Sequence, residues 1–135
     1  RRVGLIPVIC VGETLEERRA GRVDEVILRQ LAAAVQALKG GEGRFLVAYE
    51  PVWAIGTGET ATPEDAAAAH ATLRAELEST IGIAAALRTP LLYGGSVNAA
   101  NAADLLAAAE VDGVLVGGAS LDAMSFTGIA AAGAG

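Results

Sequence analysis

Residues 45–65 read Phe-Leu-Val-Ala-Tyr-Glu-Pro-Val-Trp-Ala-Ile-Gly-Thr-Gly-Glu-Thr-Ala-Thr-Pro-Glu-Asp, a strand, a loop and a helix start in one stretch. Phe45 to Tyr49 is an apolar run of strand length. Glu50 sets a carboxylate at its end, and Pro51, which has no N–H to give a ladder, stops the strand. The loop that follows runs to about Ala61. Its Val52, Trp53, Ala54 and Ile55 are apolar and need something to cover, while Gly56 and Gly58 permit close backbone approach to a ligand. Thr62-Pro63-Glu64-Asp65 then reads as a helix N-terminus: a hydroxyl N-cap, proline in the first turn and acids at the positive dipole end.

The same pattern recurs on both sides. Val3 to Val11 is an apolar strand with Pro7 near its start, closed by Gly12-Glu13-Thr14. Leu15 to Ala20 reads as a short helical turn. Arg22 to Leu38 is a helix in which Val23, Val26, Ile27, Leu31, Val35 and Leu38 keep helical spacing up to Gly40 and Gly41. The helix opened by Thr62 runs to about Ile81, with Gly82 as its stop. Pro90 to Tyr93 is a third strand closed by Gly94-Gly95-Ser96, followed by a helix from Asn101 to Ala109 capped by Asn101. Gly113 to Val116 is a fourth strand closed by Gly117-Gly118, and a turn at Ala119 to Leu121 precedes a last helix over Ser125 to Ala132. Strands apolar on both faces and joined by helices imply a parallel α/β sheet. A four-stranded open sheet and half of an eight-stranded barrel both fit this pattern. In either, the polar and glycine-rich strand ends converge on one face, where such folds place their sites.

Composition narrows the function. The chain has 135 residues, 53% of them hydrophobic, which suffices for a core. The net charge is −6 and the basic residues are scattered singly, which argues against nucleic acid as a partner. No apolar run approaches the ~20 residues that span a bilayer, and no leader with a cleavage site is evident. The single cysteine, Cys10, excludes an internal disulfide and a cysteine-based zinc site, and suits a cytoplasmic location. Cys10 is expected to be a small packed strand residue. His70, mid-helix and without a second histidine, is expected at the surface or an edge, with no metal or triad role. Arg74 and Asp112 are a candidate structural pair.

Glu50 is the candidate general base, at a rigid strand end beside a flap. The two glycine pairs, on neighbouring strands, can offer their N–H groups as one shared anion cradle. Gly56-Thr57-Gly58-Glu59-Thr60 lacks the lysine and the span of a nucleotide P-loop.

With these residues assembled, the chain resembles the triosephosphate isomerase family, a (β/α)8 TIM barrel. Ile9-Cys10-Val11-Gly12-Glu13 is similar to the fifth strand and its end, Ala48 to Gly58 to the sixth strand and the lid, Leu92 to Val97 to the seventh strand, and Asp112 to Leu121 to the eighth. Residues 1–135 thus read as a single partial domain, a (βα)4 half barrel. The first residue, Arg1, is not methionine, and the chain is expected to begin inside a structure.

The resemblance implies roles. Glu50 matches the base that moves a proton between the two carbons of dihydroxyacetone phosphate and glyceraldehyde 3-phosphate through an enediolate. Gly56 matches the lid glycine whose N–H reaches the phosphate, and Ser96, Gly117 and Gly118 match the rest of the phosphate site. Pro51, Val52, Trp53, Ala54, Ile55, Thr57 and Gly58 match the lid, with Tyr49, Trp53 and Tyr93 holding it open or closed. The resemblance implies no cofactor or metal, a small phosphorylated triose as substrate, no membrane partner and a homodimeric family. The family's scheme also uses a lysine and an asparagine from its first strand and a histidine from its fourth. Those segments, and the loop that builds the dimer interface, have no counterpart here. The lone lysine, Lys39, ends a helix, and Glu59 is an acid at the lid tip, where a basic residue is common. The isolated chain is therefore expected to be inactive, and to need the other half or to self-associate. Glycine pairs alone also suit another phosphate-binding barrel, such as a ribulose-phosphate epimerase, but that leaves Glu50 to Gly58 unexplained.

Overall fold

A computed structural model of the chain describes residues 4–38 and 44–134. Val3, Lys39, Gly40 and Gly41, placed by the sequence at a strand start and a helix end, lie outside the described residues. The elements run β1 (Val8–Val11), α1 (Leu15–Arg19), α2 (Val23–Ala37), β2 (Leu46–Tyr49), α3 (Pro63–Ile81), α4 (Ile83–Ala86), β3 (Leu91–Tyr93), α5 (Ala102–Ala107), β4 (Gly113–Val114) and α6 (Ala123–Ala132). Short 3-10 turns follow β2 (Val52–Ala54) and β4 (Gly118–Leu121).

The strands form one parallel sheet in the order β1-β2-β3-β4, with Cys10 opposite Ala48, Tyr49 opposite Tyr93 and Tyr93 opposite Val114. The order never reverses. A doubly wound open sheet needs a reversal to place helices on both faces. Here each helix packs beside the next, α2 against α3, α3 against α5 and α5 against α6. Right-handed crossovers in unbroken order put them all on one side. This is the arrangement of half a barrel, and it resolves the choice left open by periodicity.

The core lies between that helix layer and the sheet. Ile27, Leu31 and Val35 from α2 and Leu73 and Leu77 from α3 meet Val47, Tyr49, Leu91 and Tyr93. Among the described residues no helix covers the opposite sheet face, and there Val8 is 45% exposed. Cys10 lies on this face and is exposed. The expectation of a packed cysteine fails because the alternation of β1 sends Val11, not Cys10, into the helix side.

The helix opened by Thr62 forms as read. Its Oγ1 accepts from Asp65 N at 3.1 Å while the Asp65 carboxylate accepts from Thr62 N at 3.3 Å, and Gly82 ends the helix. Other boundaries move. β1 starts at Val8 because Pro7 enters the ladder only as an acceptor, from Leu46 N at 3.0 Å. Asn101 precedes α5 without capping it, its Oδ1 instead accepting from Asn98 N at 2.8 Å. α6 starts earlier than Ser125 because Asp122 is its cap, accepting from Ser125 N at 2.8 Å.

His70 is the larger correction, being fully buried rather than at a surface or edge. It belongs to the stripe Ala66, Ala69, His70, Leu73, Leu77 that α3 turns toward the sheet. Its Nδ1 lies 2.9 Å from the Glu110 carbonyl, and its ring stands edge-on to Tyr49 with centroids 6.1 Å apart. Arg74, one turn on, pairs with Asp112 at 2.7 Å and with Glu110 at 2.9 Å.

Candidate active site

The carboxyl ends of β2, β3 and β4 enclose a cleft of about 490 Å³. Glu50, Ile55, Gly56, Gly58, Ser96, Gly117 and Gly118 line it, so the candidate base, lid glycines and cradle residues from distant parts of the sequence share one space. A smaller cleft of about 360 Å³ between Arg44, Phe45 and Arg88 lies at the amino ends of the strands. Parallel α/β sheets bind ligands at the other end, where the cleft lined by Glu50 and the glycine turns lies.

Glu50 is fixed by its backbone. Its N–H donates to Val11 O at 2.7 Å, and its carbonyl lies so close to Gly12 that a Cβ there would collide with it. Gly94 clears its side chain, since a Cβ at Gly94 would fall 2.7 Å from Glu50 Cγ. Cys10, two strands' width from β3 on the helix-free face, bonds to the Glu50 carboxylate. Partial burial, then that hydrogen bond and the Glu50 charge, push the thiol up to about 11.

The loop after Glu50 is held at both ends. At its start Trp53 Nε1 donates to Glu13 Oε1 at 2.9 Å, and Ala54 is fully buried. At its end Tyr93 Oη accepts from Ala61 N at 2.9 Å and bonds Thr60 Oγ1 at 3.0 Å. Between them Ser96 Oγ donates to Ala54 O at 2.5 Å. Gly56 and Gly58 have φ of 67° and 82°, which glycine adopts without the cost other residues carry. Of the apolar loop residues, Trp53 and Ala54 turn inward, whereas Val52 and Ile55 are 51% and 48% exposed.

Glu13 is the functional-site residue that sequence reasoning passed over. It is fully buried and accepts from Tyr49 Oη at 3.0 Å, Trp53 Nε1 and Arg18 NH1 at 3.3 Å. Burial, then the Glu13 charge and hydrogen bond, push the Tyr49 hydroxyl well above its ordinary range, which keeps it a donor. Arg18 also pairs with Asp65 at 2.6 Å and sits 5.0 Å over the Trp53 ring, so α1 joins the first turn of this loop to the start of α3. The signal in the sequence was Glu13 itself, an acid at a strand end next to the cap Thr14.

Gly117 and Gly118 differ from Gly12, Gly94 and Gly95. A Cβ at any of those three would collide with a neighbour, whereas at Gly117, Gly118 and Gly56 it would meet nothing within 4 Å. Packing in this chain does not require glycine at these positions, which leaves open space against the cleft.

Parallel strands in unbroken order, helices on one side and a cleft at the strand ends define an α/β protein of the TIM-barrel type, here with four strand–helix units. The family model for triosephosphate isomerase matches residues 1–133. Curated triosephosphate isomerases of Delftia acidovorans and Paracidovorax citrulli are each 57% identical to the chain, over 96% and 97% of it. That of Albidiferax ferrireducens is 53% identical over 95% of the chain. Each comparison covers 51% of the relative, so the chain spans about half the length of the curated relatives it matches. The chain belongs to the triosephosphate isomerase family.

Proposed function

We propose that residues 1–135 form one partial domain carrying the base, the lid and the phosphate site of an isomerase that interconverts dihydroxyacetone phosphate and glyceraldehyde 3-phosphate. The observation that carries this reading is the single cleft shared by Glu50, Gly56, Ser96, Gly117 and Gly118. Glu50 takes a proton from one substrate carbon and returns it to the next. The open space at Gly56, Gly117 and Gly118 receives the phosphate, and the loop from Pro51 to Thr60 closes over it to exclude water. Tyr49, Trp53 and Tyr93 latch that loop. The cytoplasm, and a homodimer as in the family, are the setting.

Among the described residues that line the cleft there is no lysine or histidine to act as electrophile. Among the described residues there is one histidine, His70, and it packs on the helix side of the sheet against Tyr49, opposite the face that carries Glu50. Removing one oxyanion donor already costs ~10²–10³ in rate, so these residues alone are expected to show no measurable turnover. The test is a coupled isomerase assay on the chain alone and after addition of a segment supplying the family's first four strands. Activity that appears on addition and vanishes with Glu50→Gln supports the reading. Activity unaffected by Glu50→Gln overturns it. A second reading, a non-catalytic half barrel that self-associates, is favoured by the helix-free sheet face and by Leu121 and Met124, 91% and 86% exposed at the β4 edge. Light scattering that finds a compact monomer would remove it.

A further inference from the structure

We infer that Gln30 is a positioning residue for the lid, an inference that rests on the reading of the Pro51–Thr60 loop as one. Val11 and Glu13 turn their carbonyls toward β2, accepting from Glu50 N at 2.7 Å and Val52 N at 3.0 Å. Backbone groups alternate sides along a strand, so those of Gly12 face away from β2. β1 is the outermost strand of the described sheet, and no strand meets them there. The Gln30 side chain, reaching from α2, does. Its Oε1 accepts from Gly12 N at 2.8 Å and its Nε2 donates to Gly12 O at 3.1 Å.

A primary amide offers one acceptor and two donors on a planar group. Gln30 therefore pairs with both backbone groups of Gly12 as the backbone of a neighbouring strand would. Gly12 is gripped between this amide and the Glu50 carbonyl, against which a Cβ would collide. The residue fixed next is Glu13, whose carboxylate holds Trp53 and Tyr49 and whose carbonyl holds Val52. The chain of contacts runs from Gln30 through the Gly12 peptide groups and Glu13 to the first turn of the lid. Gln30 itself is anchored beside Ile27 and Leu31, both fully buried, and gives a rigid reference for a mobile part.

The test compares hydrogen exchange in the ligand-free parent chain, Gln30→Met, Glu13→Gln and the double variant, together with the emission of Trp53, the single tryptophan. Gln30→Met keeps side-chain length and removes both bonds. Exchange at Val52, Ala54 and Ile55 is expected to quicken roughly tenfold, with a red shift of Trp53, while amides in the centres of α2 and α3 keep the parent rate. The double variant is expected to match Glu13→Gln alone, since one acts through the other. Unchanged lid exchange, equal acceleration throughout α2 and α3, or additive effects in the double variant would each overturn the proposal. Adding phosphoglycolate to the parent separates the two readings. If it fails to slow lid exchange, the substrate reading fails, whereas the Gln30 comparison, made without ligand, still stands or falls by itself.

Discussion

Replacing Arg74 by methionine tests what holds β3 and β4 in register beneath the cleft. The Arg74 side chain is 7% exposed, and its guanidinium donates to Glu110, Asp112, Ala86 O at 2.5 Å and Thr89 O at 2.8 Å. The acids are each 43% exposed, so water screens their pairing and each contributes only ~0–1 kcal/mol. Asp112 retains a second partner in Leu91 N at 2.8 Å, and Ala86 O retains Thr89 N at 2.9 Å. Thr89 O loses its donor, and an orphaned buried carbonyl costs ~1–3 kcal/mol. Methionine fills most of the volume, so a large cavity penalty is absent. The loss should come to ~2–4 kcal/mol, or a fall of roughly 1–2 M in the urea midpoint. Circular dichroism followed through urea unfolding measures it. A change below ~0.5 kcal/mol, the range of ordinary surface substitutions, would refute the reasoning and show that α3 is not tied to the β3–β4 end through this side chain.

Two further outcomes follow from the same contacts. Burial holds the His70 imidazole below its ordinary 6.5, and the nearby Arg74 adds to this, against the opposing effects of the Glu110 carbonyl and Asp112. The unfolded chain binds that proton more readily, so the contribution is whole above pH 6.5 and lost as pH falls from there through the folded value. Urea midpoints of the parent should therefore drop more steeply than those of His70→Gln between these limits, and parallel curves would contradict this. Gly118→Ala meets no neighbour within 4 Å and should leave stability within ~0.5 kcal/mol while weakening phosphoglycolate binding at least roughly tenfold. Calorimetric titration showing unchanged affinity would remove Gly118 from the phosphate site.

What was legible in the sequence was local chemistry. Thr62-Pro63-Glu64-Asp65 opens α3 as read, and Tyr49-Glu50-Pro51 ends β2 as read, because caps and proline act within a few residues. The start of β1 was misjudged because Leu5 and Ile6 are apolar enough for a strand, whereas a strand also needs a partner, and pairing with β2 begins at Val8. His70 was misplaced by being weighed as a lone histidine rather than as one position of the stripe that includes Leu73 and Leu77. Glu13 and Gln30 were missed for a different reason. Their partners lie far along the chain, Trp53 for Glu13 and Gly12 for Gln30, and only the fold brings them together. Sequential strand order likewise became visible only once the strands were paired.

The most direct measurement is an amide chemical-shift titration of the chain with phosphoglycolate. If Glu50, the lid and the two glycine turns form a triose-phosphate site, the largest changes fall at Gly56, Ser96, Gly117 and Gly118 and persist in Glu50→Gln. If the spectrum is unmoved, or if the changes gather instead around Arg44 and Arg88 at the opposite end of the strands, the assignment of this cleft is wrong.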